Sequence, residues 1–231
     1  MQGVHAGGTR LLRRAIVAAL VLAAVSVPAV AEAASCAKAY SYAGLVSANR
    51  AHGVSATIQV LAVPRVKWGH VAGWVGVGGV GAGPRGETEW IQVGYSGFYG
   101  GTSQLYYEVT PPNGDPQYVA VLASVRPGER HTVAVHEIGN RPEWWRVRVD
   151  GRAVGSPVHL PGSHGRWRPV ATAESWNAGK GACNAFAYRF SNVRVATRPN
   201  GRWRQFRSSY ALQDPGYRVA RGTGGFVASA R

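Results

Sequence analysis

Short segments of alternating apolar and polar residues follow one another along most of the chain after residue 55. Every second position in them is rich in Val, Ile, Tyr or Trp, and this period of two is typical of β-strands with one buried face. Helical periodicity is hard to find in the same region. The pattern predicts nine strands, at residues 55–63, 71–77, 89–95, 104–110, 118–125, 132–138, 144–149, 169–175 and 186–195.

Turn-forming residues separate these segments. Asp150-Gly151 lies between two alternating arms and predicts a β-hairpin, and residues 225–228 have the pattern of a closing strand. Short strands joined by close turns indicate an all-β fold, an antiparallel β-sandwich. We expect one domain over residues 34–231, with its core at about 50–196 and a basic closing segment at 197–231.

The first 33 residues have the pattern of a secretory signal peptide. Arg10, Arg13 and Arg14 precede the apolar residues 15–27, and Ala31-Glu32-Ala33 fits a cleavage site. The apolar run is short for a membrane span, which needs about 20 residues. The alternative is a buried or amphipathic N-terminal helix. The pattern favours a secreted, extracellular protein with no membrane span after cleavage, and we expect a monomer.

The chain is strongly basic, with a formal net charge of +15. Such a surface attracts polyanions, including anionic cell-envelope polymers and nucleic acid. The arginines, however, are scattered along the alternating segments, as solvent-facing residues often are. We therefore expect no specific nucleic-acid site and keep association with the cell envelope as a possible role.

Cys36 and Cys183 are the only two cysteines. In an oxidising compartment such a pair predicts one disulfide, which would tie the mature N-terminus to a late segment. Two free thiols are the alternative.

Several common chemistries lack their sequence patterns. No H-x-x-x-H or comparable spacing occurs among the histidines, and an inward His136 beside Glu137 is more often a core residue than a ligand. The acidic residues are too dispersed for a calcium loop, and there is no G-x-S-x-G elbow. We expect no metal and no cofactor.

Two polar residues lie in segments that otherwise resemble a sheet interior. Gln92 shares its strand face with Trp90, and Glu174 is flanked by the small residues Ala173 and Ser175. A buried carboxylate is costly unless it is paired or protonated, so an inward Glu174 would be a candidate for proton transfer. Equally, Gln92 could lie on a wet face, and Glu174 could point outward and offset the arginines.

The order of several short motifs resembles the eqolisins, the G1 family of glutamic peptidases. The family has a Trp-Val-Gly strand, a Gln-x-Gly strand, a Tyr-Glu strand, a Gly-Asp turn, an Ala-Glu motif and a Phe-Thr-Asn segment. Here the matching residues are 73–79 (GWVGVGG), 90–94 (WIQVG), 106–109 (YYEV) with Pro111, 127–129 (PGE), 173–174 (AE) and 190–193 (FSNV).

The resemblance implies a jelly-roll sandwich of the concanavalin A-like type in which Gln92 and Glu174 face each other. It implies that Glu174 is the general acid and base and that Gln92 stabilises the oxyanion during peptide hydrolysis at acidic pH. It also places Trp74, Tyr107 and Glu108 near a groove for a polypeptide substrate.

This chain also departs from the family pattern. Gly78 and Ser96 stand where the family has acidic residues, and Ser175-Trp176-Asn177 follows Glu174 in place of Trp-Ile-Val-Glu. The alternative function is therefore a non-catalytic, lectin-like module. In it, Trp74, Trp90 and Tyr107 would stack on a polysaccharide, or they would only fill the core.

Overall fold

Two antiparallel β-sheets form the architecture of the chain. The computed structural model describes residue 36 and residues 38–230, and within that part it contains strands and no helix. The strands are β1 (Tyr40–Ser47), β2 (Gly53–Val60), β3 (His70–Gly79), β4 (Glu89–Phe98), β5 (Ser103–Thr110), β6 (Gln117–Val125), β7 (Arg130–Ile138), β8 (Arg141–Val149), β9 (Arg152–His159), β10 (Val170–Trp176), β11 (Phe186–Ala196), β12 (Trp203–Gln205), β13 (Ser209–Gln213), β14 (Tyr217–Gly222) and β15 (Gly225–Ala230).

The order of the strands in each sheet brings together distant parts of the sequence. Sheet 1 has the order β13-β1-β10-β3-β4-β5-β6, and sheet 2 has the order β14-β15-β11-β2-β7-β8-β9 with β12 paired to β11. All of these pairs are antiparallel, so the predicted all-β antiparallel sandwich is confirmed.

The nine strands predicted from alternation are all present, with ends that shift by a few residues. Asp150 and Gly151 both have positive φ values, 48° and 79°, and they join β8 to β9 as the predicted hairpin. Two-residue hairpins favour this left-handed conformation because its twist matches that of the flanking strands. Residues 225–228 lie within β15, as the closing-strand pattern predicts.

Four strands were not predicted: β1, β12, β13 and β14. In β1 most residues are buried, and the pattern YSYAGLVS does not alternate clearly between apolar and polar positions. The other three are short and lie in the basic segment after residue 197, where exposed residues predominate. Their pairing partners, rather than their own composition, determine that they are strands.

The core lies between the sheets and is built mainly from valine and aromatic side chains. Trp145 and Trp167 stack with their ring centroids 5.9 Å apart, and Phe190 and Phe226 stack at 4.6 Å. The C-terminal strands contribute to the same apolar cluster through Phe226 and Ala228. The segment after residue 197 therefore belongs to the packed structure.

The predicted disulfide between Cys36 and Cys183 is present, with the two Cα atoms 5.2 Å apart. It joins the beginning of the described chain to the loop between β10 and β11. The predicted signal peptide at residues 1–33 lies outside the described residues. Among those residues, there is no helix of the length and apolarity that a membrane crossing requires.

Candidate functional site

A groove of about 560 Å³ crosses the outer face of sheet 1, and Gln92 is in its wall. Along β4, Ile91 and Val93 are fully buried in the core, so the alternation of the strand directs Gln92 to the opposite face. Gln92 pairs with Gly76 of β3. A Cβ atom at residue 76 would lie 2.9 Å from the Cβ of Gln92, so glycine leaves the space that the amide side chain occupies.

Glu174 lies on the same face of the same sheet. In β10 it pairs with Ala72 of β3, and Gln92 pairs with Gly76 of the same strand. Because residues 72 and 76 are four positions apart, Glu174 and Gln92 lie on the same face of the sheet. The glutamate is only 8% exposed, and it lines the groove together with Gln92. Its Oε1 atom is 3.2 Å from Nε2 of His70, which supplies a hydrogen-bond partner for the buried carboxylate.

Tyr106 is the hydrogen-bond partner of the Gln92 amide. Gln92 Nε2 donates a hydrogen bond of 2.9 Å to Tyr106 Oη. Burial raises the pKa of Tyr106 well above its usual value, and the nearby charge of Glu174 raises it further. The phenol therefore remains neutral, and its hydrogen bond fixes the amide of Gln92.

A second carboxylate, Glu108, adjoins the pair. It lies opposite Gln92 on β5 and accepts a hydrogen bond of 2.9 Å from Trp90 Nε1. Burial raises the pKa of Glu108, and repulsion by Glu174 adds to the increase, whereas the Trp90 hydrogen bond and His70 oppose it. The groove thus contains a second carboxylate, Glu108, whose charge is disfavoured by burial and by Glu174.

Five of the six residues predicted for the groove line it: Gln92, Glu174, Trp74, Trp90 and Glu108. Tyr107 does not. It follows Tyr106 on β5, so its side chain points to the other face, where it packs against the core beside Gly155 of β9. The alternation of the strand allows only one of the two adjacent tyrosines to face the groove.

The site also includes His70, Tyr106 and Trp176, none of which was predicted from the sequence. His70 is four residues from Trp74 on β3, so the alternation already assigned it to the same face. Its pairing with Trp176 depends on β10 being the neighbour of β3, and local sequence does not specify this neighbour.

The two positions that lack the family's acidic residues have different roles here. Gly78 has a φ of 91°, a conformation that disfavours any side chain with a Cβ atom. Ser96 is buried, and its hydroxyl is 2.6 Å from Tyr118 Oη, which in turn donates to Gln104. The hydroxyl of Ser96 therefore belongs to a neutral hydrogen-bond network.

Aromatic rings form a continuous row beside the groove. Ring centroids are 6.2 Å apart for Tyr40–Trp176, 5.4 Å for Trp176–His70, 5.9 Å for His70–Phe98 and 5.9 Å for Phe98–Tyr118. Tyr40, Phe98 and Tyr118 are between 37% and 47% exposed, so the row presents apolar faces to solvent.

Comparison with solved structures identifies the fold. Two structures of scytalido-glutamic peptidase, each with a transition-state analogue, match with TM-scores of 0.55 and 0.56 and identities of 15% and 16%. They cover 82% and 84% of this chain, which covers 96% and 98% of theirs. The eqolisin SCP-B, in complex with the tripeptide Ala-Ile-His, matches with a TM-score of 0.53 at 16% identity, over 82% of this chain and 96% of its own.

No protein-family model matches the chain, and no curated protein matches its sequence. The chain nevertheless has the jelly-roll fold of the eqolisin peptidases over most of its length. The fold that the motif order implied is therefore confirmed.

Proposed function

We propose that this chain is a secreted peptidase that hydrolyses peptide bonds with Glu174 and Gln92. The observation that carries the proposal is the shared groove, in which a buried carboxylate beside His70 and a buried amide bonded to Tyr106 lie on one face of one sheet. The fold shared with glutamic peptidases supports the same assignment.

In the proposed reaction, Glu174 is the general base. Its carboxylate takes a proton from water while the water oxygen forms a bond to the carbonyl carbon of the peptide. Glu174 then returns that proton to the leaving amine nitrogen as the bond between carbon and nitrogen breaks. One residue can serve both steps because it ends the cycle in the state in which it began.

Gln92 stabilises the negative charge that develops on the carbonyl oxygen. An amide nitrogen carries two N–H groups, and Tyr106 accepts only one of them, so the other is available to the oxyanion. The hydrogen bond to Tyr106 fixes the orientation of the amide before the substrate binds. Because an amide does not titrate, this donor is present at acidic pH.

The substrate is proposed to be a polypeptide outside the cell. The groove is open to solvent and continuous with the aromatic row, which offers contacts for apolar side chains on either side of the cleaved bond. The disulfide fits an extracellular protein.

The test is cleavage of an unfolded protein substrate by the purified chain between about pH 2 and 7, with and without a chelator. We expect cleavage that is insensitive to the chelator. The rate should fall by about a thousandfold in Glu174→Gln, because this variant lacks the general acid and base. Gln92→Ala should lose about a hundredfold, the usual effect of removing one oxyanion donor.

Glu129→Gln is the matched control, because Glu129 is exposed in the turn between β6 and β7. It should cleave like the wild type, and circular dichroism should show the same strand content in all variants. Absence of cleavage by the wild type across this pH range, with a broad set of peptides, would refute the peptidase assignment.

The aromatic row favours a second candidate, a module that binds a polysaccharide without cleaving it. Exposed rings in a line are suited to stacking on sugar faces. A glycan array that shows specific binding, lost in Phe98→Ala, together with no peptide cleavage, would establish this function in place of the first.

A further inference from the structure

A second cluster of titratable side chains lies outside the groove, around Glu137. The carboxylate is fully buried, and each of its oxygens faces an imidazole. His52 Nδ1 is 2.6 Å from Oε2, and His164 Nδ1 is 2.7 Å from Oε1. The donor atoms of these three residues all lie within 4.8 Å of one another.

Three separate segments of the chain supply this cluster. His52 lies in the connection between β1 and β2, Glu137 lies near the end of β7, and His164 lies in the connection between β9 and β10. The residues are 85 and 27 positions apart in sequence. This separation explains why the spacing of the histidines along the chain does not indicate a site.

The surrounding backbone holds the carboxylate in place. The backbone N–H of Glu143 donates a hydrogen bond of 2.6 Å to Glu137 Oε1. The orientation of Glu137 is therefore not determined by the imidazoles alone. Such a contact is the kind of outer hydrogen bond that orients a metal-binding carboxylate.

We propose that His52, Glu137 and His164 bind a divalent transition-metal ion, with zinc as the best fit. Two imidazoles and one carboxylate are a common zinc ligand set, and water completes the tetrahedron. His164 is 51% exposed at its side chain, so water can reach the fourth position from the solvent side. On binding, each ring gives its Nδ1 lone pair to the metal and carries its proton on Nε2.

The bound ion would link the β1–β2 connection and the β9–β10 connection to β7. None of the three residues lines the groove, so metal binding here is separate from the proposed hydrolysis. A chelator should therefore lower the stability of the protein without inhibiting the reaction in the groove.

The test of the site is a titration of the metal-stripped full chain with Zn²⁺. Isothermal titration calorimetry measures binding, and the melting temperature measures stability. We expect one saturable Zn²⁺ per chain and a rise in melting temperature. In His164→Ala, the apparent affinity for Zn²⁺ should fall at least about tenfold, and the rise in melting temperature should be correspondingly smaller. With Co²⁺ in place of Zn²⁺, the wild type should give the intense visible absorption of a tetrahedral ion.

His131→Ala is the matched control. His131 Nδ1 also lies 2.6 Å from a carboxylate oxygen, that of Asp150, but this pair has no second imidazole. The control should bind Zn²⁺ like the wild type. If the wild type binds Zn²⁺ no better than His164→Ala, the three residues form only a hydrogen-bonded network and the proposal is wrong.

Discussion

At the scale of single residues, Tyr106 decides how rigidly the groove holds its amide. Its hydroxyl accepts the hydrogen bond of Gln92, and its ring stacks on Tyr118 with the centroids 4.9 Å apart. A stacked ring limits the positions that the hydroxyl can adopt. The amide is thus oriented by a group that is itself held in place, which is the condition for an effective oxyanion donor.

Tyr106→Phe should lower kcat by about tenfold and leave KM nearly unchanged, because the ring remains while the amide loses its partner. The measurement is steady-state cleavage of a peptide substrate. Tyr95→Phe is the control, since Tyr95 is fully buried in the core on the face of β4 opposite Gln92. An equal loss of kcat in both variants would show that Tyr106 acts only through packing.

Glu89 is a buried acid with a different role. It is fully buried at the start of β4, and neither carboxylate oxygen has a hydrogen-bond partner. Burial raises its pKa to about 7, and the charges of Glu87 and Glu143 contribute. The folded state therefore binds this proton more tightly than the unfolded state does, so folding is most favourable when Glu89 is protonated.

The pH dependence of stability follows from this sign. The contribution of protonated Glu89 to the free energy of unfolding is fully present below about pH 4.5, and it is lost as the pH rises through about 7. Between pH 5 and 8 the wild type should lose up to about 3 kcal/mol of unfolding free energy, and Glu89→Gln should remove most of that loss. Urea unfolding at pH 5 and pH 8 measures the loss in each protein, and Glu129→Gln, at an exposed residue, is the control. Parallel curves for wild type and Glu89→Gln would contradict the prediction.

At the scale of elements, β10 is the strand on which the site depends. It lies between β1 and β3, and it places Glu174 beside His70 and near Tyr42. The loop that follows β10 is anchored by the disulfide and by Asn177, whose amide donates to the carbonyl of Cys36. The end of the strand is thus fixed to the beginning of the described chain.

Removal of the disulfide should destabilise the protein. Replacing both cysteines by serine opens a loop of 147 residues, and the chain-entropy account gives a loss of about 5 kcal/mol. The measurement is urea unfolding of the double variant and of the wild type with and without a reductant. The reduced wild type should match the double variant, and equal stability of all three would contradict the role assigned to the bond.

The sequence predicted those elements whose signal is local. Alternation located the central strands, and Asp150-Gly151 located a hairpin, because each depends on neighbouring residues. The same alternation assigned Gln92 and Trp90 to one face of their strand. It did not reveal the pairing of His70 with Trp176 or the meeting of His52, Glu137 and His164, since both depend on contacts between distant segments.

At the scale of the whole molecule, the outer face of sheet 2 carries a row of arginines. Strand alternation and register direct six of them away from the core. They are Arg130, Arg146, Arg148, Arg189, Arg194 and Arg218. Along β2, β7, β8 and β11 the outward positions hold no carboxylate. This basic face lies on the side of the sandwich opposite the groove.

The basic face is expected to bind anionic polymers. Heparin can serve as the probe, and its affinity should fall by at least about tenfold between low and physiological salt, because released counterions drive such binding. The triple variant Arg130→Ala/Arg189→Ala/Arg194→Ala should lose most of the affinity. Arg85→Ala is the control, since Arg85 already pairs with Glu87. If the triple variant and the control bind heparin equally, binding depends on the net charge of the protein and not on the basic face.

The strand order of sheet 1 also has a consequence for when the groove becomes complete. β10 inserts between β1 and β3, which are made more than 90 residues earlier in the chain, so sheet 1 has a missing strand until residue 176 is available. A nascent chain that ends between residues 92 and 176 contains Gln92 but has no complete β10 to hold Glu174 beside it. If the groove hydrolyses proteins, a partly synthesised chain cannot, and the cell that makes it is exposed to activity only after nearly the whole sequence has folded.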